Sequence, residues 1–158
     1  MIYQHFVEQG RTVDSAYYCK VLAELRKHVA RKRPHLKAVW LFHQGNARPH
    51  TSNYTNEFFA KNGIESIRHP PYSPDLAPCD FWLFPTLKKG LRGRKFESKA
   101  EIKTAVEKFF NTLQIEDFHN TITEKWHERM RLCIKSHGQY FEKESKKSSL
   151  LASSEDEA

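Results

Sequence analysis

Cysteine is scarce in this sequence. Cys19, Cys79 and Cys133 are odd in number and far apart, with no C-x-x-C pair and no histidine at zinc spacing. That argues against a disulfide framework or a structural zinc centre and points to a reducing compartment. Long apolar runs are missing too. No stretch approaches the ~18 apolar residues of a membrane span, and the opening MIYQHFVEQGRT has neither a basic n-region nor an adequate apolar run. Neither a signal peptide nor a membrane partner is expected, and without secretion the Asn53-Tyr54-Thr55 sequon has no consequence. An apolar share of 39% is low for 158 residues and a charged share of 28% slightly high, as in a soluble chain of one domain's length with a broad solvated surface. Acid is in deficit: 26 Lys and Arg against 19 Asp and Glu leave a formal charge of +7. Such an excess favours polyanionic partners, because neutralising phosphates releases counterions from nucleic acid; it is also compatible with an ordinary basic surface.

What is present reads as alternating strands and helices. MIYQHFV, residues 1–7, alternates loosely and predicts a strand closed by a turn at Gly10. Asp14 or Ser15 can cap a helix over 15–32, with Tyr18, Val21, Leu22, Leu25 and Val29 at helical spacing and Pro34 beyond its end. Its last turns carry ARKRP, either a nuclear-import or phosphate-contact patch or cations that stabilise a helix C-terminus. AVWLFH, residues 38–43, predicts a buried strand of the parallel type. Thr51 or Ser52 then caps a short helix ending at Asn62-Gly63, and IESIR, residues 64–68, makes a second brief strand. HPPYSPDLAP predicts an extended loop in which Asp75 makes a local turn bond. CDFWLFPTLKK fits a helix with Asp80 in its first turn, bent or divided at Pro85. KKGLRGRK places five cations in eight residues beside two glycines, a flexible basic loop suited to phosphate contact or to plain solvation. Ser98 and Glu101 form a capping box for a helix carrying Ile102, Ala105, Val106, Phe109 and Phe110, and a second amphipathic pattern runs from about Ile115 to Phe141. His119, His127 and His137 share no ligand face. Residues 146–158 are polar enough to predict a disordered tail.

Several long words in matching order carry a resemblance. GRTVDSAYYCKVLAELR, HQGNARPHTS, PPYSPDLAPCDFWLF and LRGRKFES closely resemble the mariner branch of the Tc1/mariner transposases, including the mariner-derived domain found fused to a SET methyltransferase. The family pattern reads HQDNARPH, then an aspartate after 34 intervening residues within YSPDLAPCD. Asp80 stands at that interval, but position 45 is glycine. The resemblance implies an α/β fold: an RNase H-like domain over residues 1–145, whose sheet in the family has the spatial order 3-2-1-4-5. Met1 would fall inside the third strand, so the expected fold is truncated, a partial mixed sheet of about three short strands (1–7, 38–43, 64–68) with flanking helices and C-terminal helices.

The same resemblance implies two-metal phosphoryl chemistry, in which three carboxylates hold two Mg²⁺ ions. The first aspartate would precede Met1, the second is replaced by Gly45, and Asp80 is the retained catalytic and metal-ligand candidate, insufficient alone. If residues 43–47 continue the strand, Gln44 and Asn46 face away from the site and do not replace the lost ligand. The expectation is a catalytically inactive transposase fragment with no bound metal. It would bind DNA weakly and without sequence preference through Lys88, Lys89, Arg92, Arg94 and Lys95. It would be nuclear by resemblance, or cytoplasmic, and capable of self-association. The alternatives are a protein-interaction remnant using the last helices and a part of a split, active nuclease.

Overall fold

Asp14 caps the first helix with its carboxylate, which accepts the Tyr17 N–H at 2.7 Å, and α1 follows over Ser15–Lys32. The structure is a computed structural model and describes residues 1–36 and 40–141. The tail expected from 146, and part of the strand expected at 38–43, lie outside those residues. The chain divides into two compact units, Met1–Pro71 and a second that begins at Tyr72.

In the first unit Leu22 of α1 joins Phe59 and Ile64 as buried core, with Tyr18, Leu25, Trp40, Phe42 and Phe58 packed around them. Strands β1 (Leu41–His43) and β2 (Glu65–Ile67) pair in parallel, with Leu41 opposite Glu65, Phe42 opposite Ser66 and His43 opposite Ile67. Parallel strands need a crossover, and α2 (Arg48–Thr51) with α3 (Asn53–Asn62) supplies it. Ser52 caps α3 by accepting the Thr55 N–H at 3.2 Å, and Gly63 ends it at φ 61°, a left-handed conformation that costs a residue without Cβ little. The turn α2 was not predicted. Pro49 sits in its first turn, where a missing N–H breaks no helical bond.

Residues 1–7 do not form the expected strand. Met1, Phe6 and Val7 remain exposed, so the loose alternation buries no common face. The Tyr3 ring instead lies against His28 of α1 at 4.7 Å and His5 hydrogen-bonds the Tyr17 hydroxyl. The described sheet therefore has two parallel strands, not three in a mixed arrangement.

In the second unit the proline-rich segment is not the extended loop expected. Pro74 starts a 3₁₀ turn, Pro74–Leu76, closed by the Ala77 N–H on the Pro74 carbonyl at 3.2 Å. The following helix is divided as Pro85 allows. Pro85 has no N–H and its ring crowds the preceding turn, so the chain passes through a wide turn, Cys79–Leu83, in which the Phe84 N–H reaches back to the Cys79 carbonyl, before α4 (Phe84–Leu91). Ser98 caps α5 (Lys99–Thr112) through the Glu101 N–H at 3.2 Å, while the Glu101 carboxylate accepts the Glu97 N–H at 3.1 Å.

The last amphipathic pattern is three pieces: α6 (Ile115–Asn120), a wide turn over Thr121–Trp126, and α7 (His127–Lys135). Thr123 Oγ1 donates to the His119 carbonyl at 2.8 Å, competing with the backbone ladder where the helix widens. The helix stops at Lys135 rather than Phe141. His137 (φ 53°) and Gly138 (φ 80°) turn left-handed, and the Gly138 N–H closes on the Cys133 carbonyl at 2.9 Å.

Candidate functional site

Both parallel strands end on the same side, which is where open α/β sheets place ligands. A pocket of about 300 Å³ lies there, lined by Gln44, Gly45 and Asn46 after β1, by Ser66–His69 at and after β2, and by His50, Thr51 and Asn56 of the crossover. Its floor is a chain of hydrogen bonds. Tyr18 Oη donates to Gln44 Oε1 at 2.6 Å, Gln44 Nε2 donates to the His50 carbonyl at 3.1 Å, and His50 Nδ1 meets the Gly45 carbonyl at 3.0 Å. The His50 ring also stacks on Tyr18, 4.3 Å between centroids. Burial, reinforced by neighbouring Cys19, pushes the Tyr18 phenol up to about 12, so the donor of the first bond stays protonated. Asn46 Nδ2 ties one wall to the other by donating to the carbonyls of His69 at 2.9 Å and Pro70 at 3.2 Å. Strand alternation therefore fails as a guide here. The strand stops at His43, and Gln44 and Asn46 line the same pocket as Gly45 instead of facing away.

Position 45 itself is open. A Cβ built on Gly45 meets no atom within 4 Å, and its backbone is outside the left-handed region, so nothing in the fold demands glycine. The divalent ions implied by the family resemblance need oxygen ligands, above all carboxylates. Glycine supplies no side-chain oxygen and none of the pocket's lining residues is acidic. Among the described residues no three His, Cys, Asp or Glu side chains converge on a metal-sized site. The pocket does not fit a two-metal centre.

Asp80 belongs to the second unit. It is exposed in the first turn of the helical stretch, its N–H bonded to the Ala77 carbonyl at 2.8 Å. The segment before it is clamped by the wide turn Thr121–Trp126 and α7. Arg129 Nη1 donates to the Asp75 carbonyl at 3.0 Å and Trp126 Nε1 to the Leu76 carbonyl at 2.8 Å, while the Arg129 guanidinium lies 4.3 Å from the Phe81 ring centroid and 5.8 Å from that of Phe141. Asp75 is 3% exposed and its Oδ1 has no hydrogen-bond partner, so that oxygen makes no local turn bond. Sequence reasoning missed this clamp, whose donors Trp126 and Arg129 lie within the second amphipathic pattern.

Lys88, Lys89, Arg92, Arg94 and Lys95 are all exposed. Lys88 and Lys89 are helical, in the last turn of α4, so only Arg92–Lys95 form a loop. Gly90 is a packing residue; an added Cβ would meet Phe109 Cδ2 of α5 at 3.2 Å. Arg94 lies over the Phe96 ring at 5.4 Å. His119, His127 and His137 are exposed.

The first unit is a parallel-strand α/β unit with a pocket of about 300 Å³ at its strand ends, and comparison with known proteins specifies the family. No family model matches the chain. Two relatives do: human "Histone-lysine N-methyltransferase SETMAR", 31% identical over 145 residues covering 90% of this chain and 21% of that protein, and the mariner Mos1 transposase of Drosophila mauritiana, 30% identical over 145 residues covering 90% and 42%. The Mos1 catalytic domain solved with raltegravir and Mg superposes with a TM-score of 0.83 at 32% identity over 89% of this chain and 71% of that one. The Mos1 paired end complex with Mn gives 0.84 at 33%, over 89% and 41%. The chain belongs to the mariner transposase family. It spans less than half the length of the two relatives.

Proposed function

We propose that this chain is a catalytically inactive member of the mariner family, part of an RNase H-like domain, that retains weak, sequence-independent DNA binding. The observation that carries the first half is Gly45. It stands where the family pattern has aspartate, in a pocket with no carboxylate, at a backbone position that has room for one. The Mos1 structures with Mg and Mn support divalent-metal chemistry in the parent family. Asp80 alone cannot hold and balance two divalent ions. A nuclear location accords with this family reading.

DNA binding is assigned to Lys88, Lys89, Arg92, Arg94 and Lys95, exposed cations within eight residues, and the Mos1 paired end complex supports a DNA-directed ancestry. Self-association is a second reading, favoured by Ile115 at 82% and Ile134 at 77% exposure on the last helices. Fluorescence anisotropy on a labelled duplex across a salt series tests the binding. The logarithm of affinity should fall with a slope of about −0.9 per phosphate neutralised, and charge reversal of the five cations should abolish it. The bound duplex should remain intact in Mg²⁺. Unchanged affinity and slope after charge reversal would refute the assignment.

A further inference from the structure

With glycine where the family pattern has aspartate, the lining of the pocket at the strand ends carries no acidic side chain. Its one permanently charged lining residue is Arg68, exposed and without an ion pair among the described residues. His50 and His69 add imidazole N–H groups, and no lining residue is acidic. The remaining lining is Gly45, amide and hydroxyl side chains and one isoleucine, with Ser66 in β2 and Arg68 just after its end. The walls are already tied together by Asn46 to the His69 and Pro70 carbonyls, and the floor by Tyr18, Gln44 and His50, so little ordering is needed to receive a ligand. His69 Nδ1 is further fixed by His43 Nε2 at 3.2 Å. A site of about 300 Å³ whose guanidinium has no ion pair among the described residues and whose lining holds no carboxylate suits a tetrahedral oxyanion, because a guanidinium forks onto two phosphate oxygens.

We propose that this pocket is a metal-independent phosphate site centred on Arg68, created by glycine at position 45. It deepens the reading of position 45 as ligand-free and is independent of the basic segment 88–95. The phosphate belongs to a nucleic-acid backbone or is free inorganic phosphate; the chemistry recognised is the same.

The test uses the full chain labelled with ¹⁵N and titrated with inorganic phosphate, then separately with a short duplex bearing 5′-hydroxyl ends. Phosphate should shift the amides of Gly45, Asn46, Ser66, Arg68 and His69 in a saturable manner. Gly45→Ala should leave the affinity within about twofold, whereas Gly45→Asp, which returns a negative charge to an open position, should weaken it about tenfold. Arg68→Gln should weaken it similarly. Shifts of the same amides by the duplex, competed by phosphate, identify a backbone phosphate as ligand; shifts by phosphate alone identify the free anion. Equal phosphate affinity in wild type and Gly45→Asp overturns the proposal. Silence of these amides to phosphate overturns it while leaving the catalytic reading intact. Silence to phosphate together with selective broadening of the same amides by Mn²⁺ overturns both.

Discussion

Removing Arg129 should detach the Asp80-bearing segment from the helix that holds it. The guanidinium donates a charged hydrogen bond to the Asp75 carbonyl at 3.0 Å and covers the Phe81 ring at 4.3 Å. A hydrogen bond from a charged donor is worth ~1.5–3 kcal/mol and a half-buried cation–π contact ~1 kcal/mol. Arg129→Ala should therefore destabilise the second unit by about 2–4 kcal/mol, partly because the Asp75 carbonyl loses its donor beside a buried carboxyl group. Arg129→Lys should fall between, since an ammonium keeps the charge but neither the flat stacking surface nor the fork. Thermal unfolding followed by circular dichroism gives the magnitude. Hydrogen exchange gives the location: protection at 76–84 should fall while that of α1 and α3 is unchanged. A loss under about 0.5 kcal/mol, or a loss of protection spread equally over both units, would refute the clamp.

Thr55 is fully buried and its hydroxyl donates to the Pro49 carbonyl at 2.6 Å, so Thr55→Val should cost about 1–3 kcal/mol in chemical denaturation, and a neutral result would refute that bond's role. Tyr18 titrates at about 12 when folded against 10 ordinarily, so its contribution is full below pH 10 and lost as pH rises through 12. Allowing for partial solvent contact, stability should fall by about 1–2 kcal/mol across that window, and Tyr18→Phe should flatten the fall. Gly45→Asp should change stability by less than about 0.5 kcal/mol, because its Cβ meets nothing within 4 Å; a larger loss in thermal unfolding would mean the fold requires glycine there.

Local chemistry made much of the fold legible. The caps at Asp14, Ser52 and Ser98 and the helix stop at Gly63 each depend on one side chain and its nearest N–H groups, and all four stand where the residue types place them. β1 and β2 were legible as two short runs separated by a helix, while their pairing was implied by the family strand order 3-2-1-4-5. Residues 1–7 misled because alternation reports a possible face and not a partner, and the aromatic rings found α1 instead. The helical state of Lys88 and Lys89 was hidden because Gly90 resembled a loop signal when it serves contact with Phe109. The pocket was illegible for a different reason. Gly45 and Arg68 come together only through a crossover whose geometry no local pattern specifies. The significance of position 45 came from the family word HQDNARPH, since an unconstrained glycine leaves no physical mark of what preceded it.

The most direct test of catalytic inactivity is nicking of supercoiled plasmid by stringently purified protein in Mg²⁺ and in Mn²⁺, with Asp80→Ala alongside. The expected result is no conversion to open-circular DNA beyond that given by Asp80→Ala, because position 45 offers a metal ion no carboxylate. Nicking that co-purifies with the wild-type chain and disappears in Asp80→Ala would contradict it.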